Sequence, residues 1–210
     1  MCCKIFGAGD RCAAARISPC TQGELILAAD GGLQWLDELG RKPDLVLGDF
    51  DSLLTKPPES AVRFPHEKDD TDMGLAVAEG LRRGFREFEL YGGTGGRADH
   101  TIANYQLLTK LAKQGARGFL IDDRMTATVI ADGELCFRAK PSGYVSVFSV
   151  DEVSEGVTIE GLYYSLHDGT LTNSFALGVS NEFCGSEAVV RVRKGTLLII
   201  GEYLPEDINK

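Results

Sequence analysis

The spacing of hydrophobic and polar positions changes once along the chain, near Asp123. Before that point, short apolar runs alternate with stretches in which apolar residues recur every three or four positions. The runs "ELILAAD" (24–30), "DLVLGDF" (44–50), "EFELYGG" (87–93) and "GFLIDD" (118–123) read as strands. The stretches "GGLQWLDELG" (31–40), "TDMGLAVAEGLRRG" (71–84) and "DHTIANYQLLTKLAKQG" (99–115) carry helical spacing. Gly40 and Gly115 stand where two of these helices stop, and arginines in the last turn of the middle one complement its dipole. Strand–helix alternation at this spacing predicts βαβ units and an α/β domain over residues 1–123, with a mostly parallel sheet flanked by helices.

Beyond Asp123 the helical period disappears. "TATVIADGELCFRA" reads as a hairpin around Asp132-Gly133, a dipeptide suited to a tight two-residue turn. "YVSVFSV", "GVTIEGLYYSL", "TLTNSFAL" and "EAVVRVRKGTLLIIGEYL" follow, rich in β-branched and aromatic residues and broken by Gly or Asp. Residues 124–210 are therefore expected to form a C-terminal all-β sandwich. At roughly 80 residues it is small for an independent core, so it is expected to lean on the first domain or on a second subunit.

Composition narrows the function. A length of 210 residues with 43% hydrophobic and 25% charged residues is ordinary for globular protein, which argues against wholesale disorder. The net charge of −9 argues against a nucleic-acid partner, because such binding rests on Lys and Arg contacts to phosphates. A nucleotide stays possible, since a bound divalent cation turns an acidic pocket into a phosphate site. No apolar run is long enough to span a membrane, and "MCCKIFGAGD" lacks the basic and apolar regions of a signal peptide. The six cysteines form no CxxC pair, and reduced thiols in a cytoplasmic protein are the expectation.

The acids collect where strands end. Asp30 closes one strand, Asp49 and Asp51 close the next, Asp69, Asp70 and Asp72 lead into a helix, and Asp99 follows a further strand through a glycine loop. Each has an ordinary explanation singly: Thr71 and Asp99 suit helix N-caps, and Asp70 a helix start. Together they fall on the edge of a parallel sheet where ligands gather, and point to an oxygen-ligand metal site of the Mg²⁺ kind. "YGGTGGRADH" (91–100) adds four glycines that let backbone approach a ligand, and then a helix N-terminus suited to an anion. It is neither a Walker A loop nor a GxGxxG match. Arg97 and Lys68 supply cations beside it, with loop solvation or pairing to an acid as their plain alternatives. Acids, a glycine loop and two cations make a set suited to phosphoryl transfer.

In this order the segments "AADGG" (28–32), "PDLVLGDFDS" (43–52), "KDDTD" (68–72), "GGTGGRADH" (92–100), "GLYYSL" (161–166) and "GVSNE" (178–182) resemble the thiamine pyrophosphokinase family. The likeness runs from about Leu25 to Tyr203. It implies a catalytic ATP- and Mg²⁺-binding domain over 1–123 and a thiamine-binding, dimerising sandwich over 124–210. It implies a homodimer with sites at the interface, moving pyrophosphate from ATP to the thiamine hydroxyl. On this likeness the metal carboxylates are Asp49, Asp51 and Asp72, which together with Asp99 form the catalytic set. Lys68, Asp69, Thr71, Gly93, Arg97 and Asp99 fall on the ATP side. Asp30, Ser180 and Asn181 fall on the thiamine side, with 178–181 expected as a loop between strands. Trp35, Tyr163, Tyr164 and Phe175 are candidates to pack on the vitamin's rings, with core packing the expectation for each. The first twenty residues match no motif.

Two rival readings stand beside this one. "LVLGDFDSL" also resembles the strand and Asp-x-Asp of haloacid-dehalogenase phosphatases, with Asp49 as nucleophile, Asp51 as acid/base and Asp122 or Asp123 as metal ligand. That reading leaves "KDDTD", "GGTGGRADH" and the whole β part unused. A nucleotide or vitamin sensor without turnover would favour loss of the metal-position carboxylates, and none is lost.

Overall fold

The computed structural model describes residues 1–48, 62–63 and 70–209, with backbone alone at 62–63. The chain is sheet-rich, with three α-helices among the described residues. It divides into two units, Met1–Leu107 with Leu120–Asp123, and Leu108–Phe119 with Arg124–Lys210.

The first unit holds strands β1 (Cys2–Phe6), β2 (Leu25–Ala29), β3 (Leu45–Gly48), β4 (Val62–Arg63) and β5 (Glu87–Tyr91). Helix α1 (Gly32–Glu38) follows β2, α2 (Asp72–Arg82) follows β4, and α3 (Ala98–Lys113) follows β5. All pairings among these five strands are parallel, and they run in the order β5-β1-β2-β3-β4. The predicted strands and helices of this part are present with their described ends within two residues of those expected, and 49–50, the expected end of the second strand, lies outside the described residues. Strand β1, which the periodicity did not single out, lies at the centre, paired to β2 on one side and β5 on the other. Its run is interrupted by Lys4, a residue with no exposed surface. The buried ammonium is satisfied: Nζ lies 2.8 Å from Glu24 Oε2 and donates to the carbonyls of Pro19 (2.6 Å) and Ser18 (3.2 Å).

Small residues set how closely the helices lie on this sheet. A Cβ on Gly32 would stand 1.8 Å from the Phe6 carbonyl oxygen, so α1 lies directly on β1. A Cβ on Gly80 would stand 2.6 Å from the Phe88 ring, which brings α2 onto β5. Trp35 meets the expectation of core packing: it is 4% exposed and packs edge-on to Phe6, which stacks on Tyr91 at 4.9 Å.

The division between units falls within α3 and within β6 (Arg117–Ile121). In the second unit, β7 (Thr126–Ala131), β9 (Tyr144–Ser149), β12 (Gly178–Glu182) and β14 (Thr196–Gly201) form antiparallel pairs in the order β12-β9-β14-β7. Strands β8 (Glu134–Phe137), β10 (Val153–Glu160), β11 (Leu166–Thr172) and β13 (Ala188–Arg191) form a second antiparallel sheet in the order β11-β10-β13-β8. Burial alternates along β9 and β14, and Val145, Val147, Leu197 and Ile199 are fully buried, as is Val190 of the other sheet.

Two local expectations are corrected here. Asp132-Gly133 does not close a hairpin, because β7 pairs with β14 while β8 pairs with β13. The turn is a corner between sheets: Asp132 adopts φ 46°, and its carboxylate accepts from the Gly195 N–H at 2.8 Å. Residues 178–181 are not a loop but the start of edge strand β12. Between Gly178 and Asn181 the strand carries one residue more than β9 opposite, and Ser180, at φ 58°, sits in that bulge.

Candidate functional site

The order of the parallel strands locates the site. From β1 the chain steps to β2, β3 and β4 in one direction, and β5 then returns to the far side of β1. The direction of strand addition thus switches between β1 and β5, and ligands bind in open α/β sheets beyond the carboxyl ends of the strands at such a point. A cavity of about 340 Å³ lies there.

One wall is the segment after β1. Gly7 N–H donates to the Tyr91 carbonyl, Gly9 N–H to that of Gly92 and Asp10 N–H to that of Thr94, each at 2.8 Å. The facing wall is the glycine loop after β5, where Gly92, Gly95 and Gly96 take φ values of 64°, 78° and 55°. Close contact explains the glycines of the first wall as well: a Cβ on Gly9 would lie 2.5 Å from the Thr94 oxygen and 2.6 Å from that of Gly92. Asn104, 5% exposed on α3, pins the loop by donating from Nδ2 to the Gly93 carbonyl at 2.6 Å.

Asp30, at the end of β2, lines the cavity in a left-handed conformation (φ 48°), and its N–H donates to the Leu47 carbonyl at 2.8 Å. Thr71 and Asp72 line it from the start of α2. Thr71 is the N-cap, its Oγ1 accepting from the Gly74 N–H at 3.0 Å, and Asp72 is the first helical residue, where the dipole favours a carboxylate. Gly93 and Arg97 complete the predicted residues that the structure brings together here.

Asp99 stands outside the cavity wall and engages Arg97. The guanidinium donates through Nη2 to Oδ2 at 2.6 Å and through Nε to Oδ1 at 3.2 Å, and the His100 N–H adds a bond at 3.0 Å. The Arg97 hydrogen bond holds the Asp99 carboxyl below its ordinary pKa, and both side chains are exposed. Asp99 thus orients the fork of Arg97 at the loop's exit.

Asp49, Asp51, Lys68 and Asp69 lie outside the described residues. Among the described residues no three His, Cys, Asp or Glu side chains come together as a metal-binding group. Asp122 and Asp123 hold the chain near the N-terminus in place. The Asp123 carboxylate accepts the Ala13 N–H at 2.8 Å, and the Asp122 carbonyl accepts from Arg16 Nε at 3.1 Å. Among the cavity residues that sequence reading missed are Gly7, Gly9, Asp10 and Asn104. The signal for the first three was "IFGAGD", an apolar run entering a glycine pair, masked by the charge on Lys4.

The second unit holds Ser180 and Asn181. Ser180 is exposed, and its N–H donates to Ser146 Oγ at 3.0 Å. Asn181 is 4% exposed; Oδ1 accepts from the N–H groups of Tyr164 and Glu182, both at 2.9 Å, and Nδ2 donates to the Tyr164 carbonyl at 2.7 Å. Contrary to the core-packing expectation, Tyr163, Tyr164 and Phe175 are 68%, 62% and 70% exposed.

Comparison with known proteins adds independent findings. Residues 20–120 match the family description "Thiamin pyrophosphokinase, catalytic domain", and residues 135–197 match "Thiamin pyrophosphokinase, vitamin B1 binding domain". The thiamine pyrophosphokinase of Bacillus subtilis is 30% identical over 184 residues, spanning 84% of this chain and 86% of that protein. A crystal structure of the Bacillus subtilis enzyme superposes with a TM-score of 0.84 at 29% identity, covering 96% of this chain and 99% of that one. The thiamin pyrophosphokinase from Geobacillus thermodenitrificans gives 0.82 at 28% identity, over 99% and 100% of the two chains.

Proposed function

Given that the chain belongs to the thiamine pyrophosphokinase family, we propose that it transfers the pyrophosphoryl group of ATP to the thiamine hydroxyl, releasing thiamine diphosphate and AMP. The observation that carries the reading is the cavity at the switch between β1 and β5, where a glycine loop, an oriented arginine and two carboxylates meet inside the matched catalytic region. A primary alcohol attacking a phosphate chain needs positioning and charge neutralisation more than a strong base.

The glycine loop offers close backbone approach to the phosphates, and Arg97, held by Asp99, offsets their charge with a preset fork. Lys68, Asp69, Thr71 and Gly93 are proposed on the same ATP side. Asp72, on the cavity wall, fits a hard-cation ligand, and we assign Mg²⁺ to Asp49, Asp51 and Asp72. When bound there, the ion would neutralise phosphate oxygens. Asp30 faces the shared cavity from the end of β2, and with Ser180 and Asn181 makes the proposed thiamine side.

The domain reading is an α/β catalytic part over 1–123 followed by a β-sandwich over 124–210 that binds the vitamin and joins two copies into a homodimer. Six cysteines without a disulfide support the cytoplasm as its compartment. Incubation with ATP, Mg²⁺ and thiamine, followed by chromatography, is expected to give AMP and thiamine diphosphate in equal amounts. Release of free phosphate from a phosphomonoester instead, with no AMP, would return the phosphatase reading.

A further inference from the structure

We propose that Asp10 is a binding residue of the nucleotide site, accepting hydrogen bonds from the sugar hydroxyls of the donor nucleotide. The inference rests on the ATP-dependent reading above and assigns a part of the cavity to which that reading gave no role. Asp10 follows the unmatched glycine pair after β1 and lines the cavity.

Its position is built, not incidental. The Asp10 N–H is bonded to the Thr94 carbonyl at 2.8 Å, one step beyond the Gly9 bond to Gly92, so two loops are tied together along their backbones. The carboxylate rests on Gly95: a Cβ there would fall 2.0 Å from Asp10 Cγ and Oδ2. Among the described residues that carboxylate has no hydrogen-bond or ion-pair partner, in contrast to Asp99, which is spent on Arg97.

A carboxylate is an acceptor and carries negative charge. Beside a phosphate chain it repels, whereas a pair of neighbouring hydroxyls suits its two oxygens. The phosphates are drawn to the loop's exit by Arg97, and Asp10 meets the same loop two residues before it, at Gly95. A nucleotide laid along the loop with its phosphates at Arg97 turns its sugar towards Asp10.

The test is direct titration with ATP and with 2′,3′-dideoxy-ATP, in Mg²⁺ and without thiamine, on wild type, Asp10→Ala and Asp10→Asn. Asp10 is exposed, so both variants are expected to melt within a few degrees of wild type. Wild type is expected to bind ATP about tenfold more tightly than the dideoxy analogue, the scale of hydrogen bonds to a charged acceptor. Asp10→Ala is expected to bind both nucleotides equally, at the weaker level, and Asp10→Asn to fall between. Equal binding of both nucleotides by wild type overturns the assignment, as does a preference that survives Asp10→Ala. Unchanged ATP binding with a raised KM for thiamine moves Asp10 to the vitamin's amine and equally overturns it. Failure of wild type to bind ATP at all strikes the functional reading itself, which sets the two failures apart.

Discussion

Lys4 shows how far one residue can mislead a reading of local pattern. A lysine in the middle of "CCKIF" looks like a break in an apolar strand, yet it is fully buried in the central one. Its partners, Ser18, Pro19 and Glu24, lie fourteen to twenty residues on, beyond any window of periodicity. Missing β1 meant missing Gly7, Gly9 and Asp10, and with them one wall of the cavity. Gly9 carries a prediction at this scale. Its φ is not the issue; space is, since any Cβ meets two carbonyl oxygens within 2.6 Å. Gly9→Ala is expected to push the two loops apart, lower stability by about 1–3 kcal/mol and weaken ATP binding. An unchanged melting temperature together with unchanged ATP affinity would show that the loops adjust freely, and that the close approach has no consequence.

At the scale of elements, α2 was the most legible. Thr71 caps it, Asp72 opens it, and apolar residues at helical spacing bury Met73, Ala76 and Val77. Its last turn holds Glu79 between Arg82 and Arg83, both at 2.7 Å, in the i,i+3 and i,i+4 geometry that favours an acid before a base. The hydrogen bond from Arg82 lowers the Glu79 pKa to about 2. Because the folded value lies below the unfolded one, the stabilisation is complete above the ordinary glutamate range and is lost as pH falls towards 2. Surface pairs of this kind are worth about 0.5–1 kcal/mol. Glu79→Gln is therefore expected to lower Tm by roughly 1–4 °C at pH 7 and to match wild type near pH 2. Thermal melts at both pH values check this, and a gap that persists undiminished in acid would point to packing and not charge. Strand elements were less legible where twist or register mattered. The Asp132-Gly133 signal marked a real reversal, but which strands pair after it depends on β13 and β14, some sixty residues away. The extra residue in β12 is likewise visible only against β9.

For the whole molecule, the proposed homodimer makes a claim that neither unit tests alone. If each site takes its phosphate machinery from one copy and its vitamin contacts from the other, two defects in different domains complement each other. Chains carrying Asp51→Asn and chains carrying Ser180→Arg are each expected to be inactive. Ser180 is exposed, so the second change leaves the core untouched. Mixed under conditions where subunits exchange, they are expected to recover up to a quarter of wild-type activity, about half of the molecules being mixed dimers with one intact site. Exchange shown by mass spectrometry without any recovered activity would place each site within a single chain. The ordered motifs of the family are legible along the chain, and so are the change of period near Asp123 and the strands and helices whose patterns repeat within a dozen residues. These follow from local physics, because helical and strand periods are set by neighbours along the chain. Packing of distant segments alone fixes the central place of β1, the β1/β5 switch that locates the cavity, and the strand character of Ser180 and Asn181. Each of these depends on how residues distant along the chain meet, through strand order, buried charge satisfaction or register, and such meetings are fixed by packing of the whole unit and not by any stretch within it.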